Sequence, residues 1–161
     1  MKNLTGTKIA ILAANGFDEA DMIAAQRTLA AAGASVRLIS SDNGLVNGWD
    51  GKGWGHNFPV DAALNTALGV DYDGLVVVGG QRSHDKLKLT AHTKRFIGSF
   101  MAAQKPIVAM GEALENLFEM DQRGEANILS AEGENQRDMI VAGMAAHLTP
   151  AMDEEMDKAA A

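Results

Sequence analysis

Short apolar runs alternate with longer segments of helical periodicity along most of the chain. The apolar runs at 8–14, 35–40, 74–78 and 107–110 predict buried parallel strands. Helical spacing predicts helices over 17–32, 61–68, 90–104 and 112–120. The pattern weakens after residue 120, where we predict a strand over 126–130, a helix over 136–148 and a flexible tail over 149–161. This alternation predicts one domain, a doubly wound α/β sandwich with a mostly parallel central sheet.

The segment 42–59 interrupts this pattern, because it holds five glycines and no helical period. We predict short extended pieces there, forming a small antiparallel excursion. Trp49 and Trp54 lie within it and could contact a ligand. Aromatic residues in such a segment more often pack on a core edge or a subunit interface, and we favour that role.

A single glycine, Gly111, separates the apolar run Ile107–Met110 from the helical segment that begins at Glu112. Such a strand–turn–helix unit, here called the elbow, places its turn at the carboxyl edge of a parallel sheet, where ligands bind. We expect the N–H groups of Glu112 and Ala113 to point into that crevice. In enzymes built on this turn the elbow residue is the nucleophile, and glycine has no side chain to supply one.

Composition narrows the classes of partner and chemistry. The net charge of −7 and the sequence pI near 5.0 argue against nucleic acid and anionic membrane as partners. The chain contains no cysteine, which excludes disulfides, thiolate metal sites and thiol catalysis. It has no apolar run of about 18 residues and no signal-peptide core at 1–8, so a cytoplasmic location is expected.

Three motifs together resemble the ThiJ/PfpI family, the intracellular-protease-I-like branch of the class I glutamine amidotransferase-like superfamily. They are ANGFDEADM (14–22), GLVVVGG (74–80) and KPIVAMGEAL (105–114), and the resemblance covers 8–120. It implies a flavodoxin-like fold and, commonly, a homodimer. The residue sequence of the third motif is also similar to the C-terminal domain of large-subunit catalases, which carries a cysteine-less elbow. This second resemblance implies an accessory role. After residue 120 the chain departs from the family pattern.

The resemblance also implies where a site would lie. The family's elbow cysteine falls on Gly111, and the histidine that often follows it falls on Glu112. The acid that hydrogen-bonds the thiol falls on Asp21, one methylene shorter than the usual glutamate. The glycine pair that lines the family's pocket falls on Gly79 and Gly80. The frame of the site is therefore expected to be present without its thiol, and these residues with Ala113 are the candidate ligand-binding set.

Two carboxylates near an empty elbow leave several functions open. Asp21 and Glu112 are each explained by a favourable charge at a helix start, but together they could act as an acid and base. His84 could join them in a metal site, a weaker alternative, so we expect no metal and no cofactor. The leading hypothesis is a non-catalytic domain that binds a small molecule or assembles with a partner. The rivals are a Cys-independent hydrolase or lyase that uses Asp21 and Glu112, and a self-associating structural module.

Overall fold

The computed structural model describes residues 4–42, 44–118, 127–131, 140 and 143–144. Its strands are β1 (Lys8–Leu12), β2 (Phe17–Asp18), β3 (Ser35–Ser40), β4 (Leu45–Trp49), β5 (Trp54–Pro59), β6 (Ala62–Ala63), β7 (Gly74–Val77), β8 (Ile107–Met110) and β9 (Ile128–Ala131). Its helices are α1 (Glu19–Ala31), α2 (Gln81–Lys88), α3 (Ala91–Ala102) and α4 (Ala113–Leu117), with a short 3-10 helix at Gly69–Asp71.

The central sheet has six strands in the order β6-β3-β1-β7-β8-β9, and every neighbouring pair is parallel. Its apolar side chains point alternately to two buried clusters. One cluster holds Ile9 and Ile11 of β1 together with Leu29 of α1. The other holds Leu12 of β1 together with Phe96 and other side chains of α3. Helices therefore cover both faces, which confirms the predicted α/β sandwich with a parallel central sheet.

A second sheet lies beside the central one, in the order β2-β4-β5. The β4–β5 pair, here called the hairpin, is antiparallel as predicted. The start predicted for the first helix is wrong, since Phe17 and Asp18 form β2 and pair in parallel with β4. Phe17 is fully buried, edge-on to Phe58 with ring centroids 5.3 Å apart, and this packing holds it in the sheet. The helix begins at Glu19, two residues later than predicted, and Asp18 Oδ1 caps it by accepting from Asp21 N–H.

The helix predicted over 61–68 is also wrong. Ala62 and Ala63 extend the central sheet beside β3. Asp61 binds Leu38 twice, accepting from its N–H at 2.7 Å and donating its own N–H to the Leu38 carbonyl at 2.9 Å. Asp61 stands at the start of the predicted helix, but in the structure its carboxylate is an acceptor at the sheet edge.

The helix α2 was missed by the sequence analysis, because Gln81–Lys88 is strongly polar and shows only Leu87 as a buried aliphatic residue. The helix α3 agrees with the prediction and is capped by Thr90. The elbow helix α4 is shorter than predicted, because Phe118 adopts an extended backbone. The last strand lies at Ile128–Ala131, close to its predicted place. Most of the helix predicted over 136–148 and all of the tail over 149–161 fall outside the described residues.

Crossing a membrane would take a longer and more apolar helix than any in the described ranges.

Candidate functional site

The structure contains the predicted elbow, a strand followed by a turn at Gly111 and a helix. Strand β8 ends at Met110, and Gly111 follows in the left-handed region at φ +56°. A Cβ placed on Gly111 would lie 3.3 Å from Gly79 Cα and 3.6 Å from Asp21 Oδ2. A side chain at the elbow would therefore start in the gap between the Gly79 backbone and the Asp21 carboxylate.

The two candidate carboxylates hold two consecutive backbone N–H groups. Asp21 Oδ2 accepts from Gly79 N–H at 3.0 Å, and Glu112 Oε1 accepts from Gly80 N–H at 2.7 Å. The structure thus brings together Asp21, Gly79, Gly80, Gly111 and Glu112. We expected the glycine N–H groups to face a ligand, but in this structure their partners are the protein's own carboxylates.

Ala113 is placed differently from the rest of the candidate set. It is fully buried and begins α4, which spans five residues. It packs in the same buried cluster as Ala109 and Phe118, and its role in ligand binding stays a prediction.

His84 lies buried behind the elbow with both ring nitrogens in hydrogen bonds. A carbonyl oxygen can only accept, so Nε2 donates to the Val78 carbonyl at 2.9 Å. Nδ1 is then the acceptor for Asn116 Nδ2 at 2.8 Å. Burial lowers the pKa of His84 below 6.5, against smaller opposing effects of the Val78 hydrogen bond and the Glu112 charge. The ring is therefore neutral and internally engaged, which leaves it no nitrogen for the metal site that the sequence suggested.

In the part of the chain that the structure describes, no group of three or more histidine, aspartate or glutamate side chains is arranged to hold a metal ion.

A cavity of about 600 Å³ opens in front of the elbow. Its walls come from the start of α1, the hairpin, the start of α2 and Glu112 at the elbow. This volume lies in the range of small-molecule sites. The acidic residues of its walls are Asp18, Glu19, Asp50 and Glu112. The N–H groups of Lys52 and Gly53 lower the pKa of Asp50.

Arg82 and Trp49 line this cavity, and Trp54 packs against both of them, a cluster that the sequence analysis missed. The Arg82 guanidinium carbon lies 4.2 Å from the Trp49 ring centroid and 5.9 Å from that of Trp54. The two indole rings are perpendicular, with centroids 5.4 Å apart. Trp49 lines the cavity and Trp54 is 55% exposed, so the packing or interface role that we favoured for them stays a prediction.

Glu19 joins the hairpin to the start of α1. Its side chain is 10% exposed, and Oε1 accepts from His56 N–H at 3.0 Å and contacts His56 Nδ1. Gly48 and Gly55 leave room for it, since a Cβ on either would press on the glutamate side chain. The sequence analysis did not single out Glu19, because nothing in its local sequence signals a partner 37 residues away.

Comparison with known proteins agrees with this architecture. A model of the DJ-1/PfpI family matches residues 7–128. The chain belongs to the DJ-1/PfpI family. Catalase HPII from Pseudomonas putida is 28% identical over 144 residues, which is 89% of this chain and only 19% of that catalase.

Solved structures show the same fold for this DJ-1/PfpI chain. A point mutant of a DJ-1 superfamily protein from Salmonella typhimurium has a TM-score of 0.74 at 18% identity, covering 89% of this chain and 90% of that one. A two-domain protein from Anabaena variabilis, with DJ-1/ThiJ/PfpI-like and ferritin-like domains, has a TM-score of 0.73 at 19% identity. That match covers 89% of this chain and 48% of the other.

Proposed function

We propose that this chain is a non-catalytic DJ-1/PfpI domain that acts by binding a small molecule or by assembling with a protein partner. The proposal rests on the elbow, where the nucleophile is missing and the neighbouring backbone donors already have partners. Gly111 supplies no nucleophile, and the carboxylates of Asp21 and Glu112 occupy the N–H groups of Gly79 and Gly80. Preorganised N–H donors stabilise a developing oxyanion only when they are free to reach it.

Activity assays test the catalytic part of this proposal. Purified protein, freed of metal by chelation, is incubated with a fluorogenic peptide and with methylglyoxal. We expect no turnover above a buffer blank, because covalent catalysis lacks its attacking group. Turnover that copurifies with the folded protein would overturn the proposal.

An accessory role within a larger catalase-like protein is the form of assembly that the comparisons support. The chain matches 19% of the length of catalase HPII, so its relative carries a segment of this kind beside much other sequence. A chimera tests the idea: the matching segment of that catalase is replaced by this chain. We expect the chimera to assemble and keep catalase activity, whereas an unrelated flavodoxin-like domain of equal length should not restore assembly. Equal behaviour of the two chimeras would contradict the accessory role.

An acid–base enzyme is the alternative, and one observation favours it. Asp21 accepts from the N–H group of Gly79, and Glu112 accepts from that of Gly80. The two carboxylates are therefore close to each other beside the elbow. If a substrate is found, this mechanism predicts that Asp21→Asn and Glu112→Gln each abolish turnover while binding persists. Activity that survives both substitutions would exclude it.

A further inference from the structure

The cavity in front of the elbow is lined by the cationic Arg82 of α2 and by the anionic Glu112 of the elbow, and these opposite charges identify a class of ligand. We propose that the cavity binds a small zwitterion, a molecule with one carboxylate and one ammonium group on a short aliphatic body. Arg82 receives the carboxylate and Glu112 receives the ammonium. This inference rests on the proposed function, because it names the small molecule that a non-catalytic site would hold.

Arg82 is the cationic half of the proposed site. Its guanidinium lies 4.2 Å from the centroid of the Trp49 ring, and stacking of this kind restrains a long side chain. In the described part of the chain, the basic partners of the ion pairs are His56, His84 and Lys86, so Arg82 has no carboxylate of its own. A restrained guanidinium with free N–H groups suits a ligand carboxylate, which it can bind through two parallel hydrogen bonds.

Glu112 is the anionic half of the site. Gly80 N–H holds Oε1 at 2.7 Å, and this contact fixes the orientation of the carboxylate. The side chain is 42% exposed and lines the same cavity as Arg82. Asp18, Glu19 and Asp50 also line the cavity and add negative charge, which disfavours a ligand that carries only negative charge.

The remaining wall selects the body of the ligand. Ala20 and Ile23 of α1 line the cavity together with the Trp49 ring, so an aliphatic group can bury against them. A polyanion such as a nucleotide is disfavoured by the carboxylates, and a simple amine leaves Arg82 without a partner. An aliphatic α-amino acid has a carboxylate for Arg82, an ammonium for Glu112 and an apolar side chain for this surface.

A matched set of three ligands tests the proposal by NMR titration of the full chain, with the Trp49 indole N–H as one reporter. The set is L-leucine, isopentylamine, which lacks the carboxylate, and isocaproate, which lacks the ammonium. We expect leucine to bind at least roughly tenfold more tightly than either analogue, since each lost charge-assisted contact is worth about that factor. Equal binding of the three, preference for either analogue, or absence of binding would each overturn the proposal.

Two variants assign the charges within the site. Arg82→Gln should reduce leucine affinity to that of isopentylamine, and the exposed Lys88→Gln on the same helix should leave it unchanged. Glu112→Gln keeps an oxygen for Gly80 N–H and removes only the charge, so leucine affinity should fall about tenfold while isocaproate affinity does not fall. Glu115→Gln, an exposed control on α4, should have no effect. Loss of leucine binding in both control variants would overturn the assignment.

Failure of this inference can be told apart from failure of the proposed function. If leucine does not bind and the protein remains inactive, the zwitterion site is wrong and the non-catalytic assignment stands. If leucine or another added compound is converted during the titration, the non-catalytic assignment itself fails.

Discussion

Gly111 combines a left-handed backbone with a crowded position for any side chain. At φ +56° an L-residue is strained, and a Cβ there would lie 3.3 Å from Gly79 Cα. We expect Gly111→Ala to lower the free energy of unfolding by about 1 kcal/mol or more, measured by chemical denaturation.

The matched control for Gly111 lies in α3. A Cβ on Gly98 meets no atom within 4 Å, and this glycine is inside a helix. Gly98→Ala should therefore leave stability unchanged or raise it by up to about 1 kcal/mol. If Gly111→Ala behaves like Gly98→Ala, the elbow is an ordinary strand–helix junction.

His84 makes the stability of the protein depend on pH. Burial lowers its pKa in the folded state below the ordinary value of 6.5, so below that pH the unfolded chain binds a proton that the folded protein does not. The stabilising contribution is complete above pH 6.5 and is lost as the pH falls towards the folded-state pKa. Urea denaturation between about pH 5 and 7 should show this loss, and a single group such as His84 can contribute a slope of at most about 1.4 kcal/mol per pH unit.

The His84→Gln variant should be less stable overall but should show a flatter pH dependence in that window. His92→Gln, which removes an exposed histidine of α3, should keep the slope of the original protein. A slope that survives in His84→Gln would assign it to other groups.

At the scale of elements, the hairpin is attached to α1 through the nearly buried Glu19. A Cβ on Gly55 would collide with the Glu19 carboxylate, which would have to give up its contacts with His56. We expect Gly55→Ala to cost about 1–2 kcal/mol and to change the tryptophan fluorescence, because both tryptophans of the chain lie on the hairpin.

The neighbouring Gly53 supplies a control for the hairpin. A Cβ on Gly53 meets nothing within 4 Å, so Gly53→Ala should leave both fluorescence and stability near their original values. Equal effects of the two substitutions would show that the hairpin depends on glycine flexibility rather than on the space for Glu19.

For the whole molecule, the expectation of a homodimer stays a prediction. Leu45 and Trp54 on the hairpin are 56% and 55% exposed, and apolar side chains of this kind are candidates for a subunit contact. We expect a dimer in sedimentation velocity at tens of micromolar, and Leu45→Glu should weaken it. Leu89→Glu, at an 87% exposed position after α2, should not. A monomer across all concentrations would remove the prediction.

The sequence by itself determined the elements whose signal is local. Buried parallel strands such as β1 and β8 appear as continuous apolar runs, because both faces of the central sheet are covered. The glycine at the elbow and the absence of cysteine also needed no coordinates. These features were enough for the fold class and for the missing nucleophile.

The tertiary structure decided everything that depends on partners distant in the chain. The segment at 61–68 became a sheet edge because Asp61 meets Leu38, and the polar helix α2 gained its buried side from contacts that its sequence does not reveal. The acceptors for Gly79 and Gly80 N–H come from 58 and 32 residues away. Which backbone N–H a carboxylate binds depends on how folding brings distant segments together. Only the fold could therefore show that these two N–H donors are already bound by carboxylates.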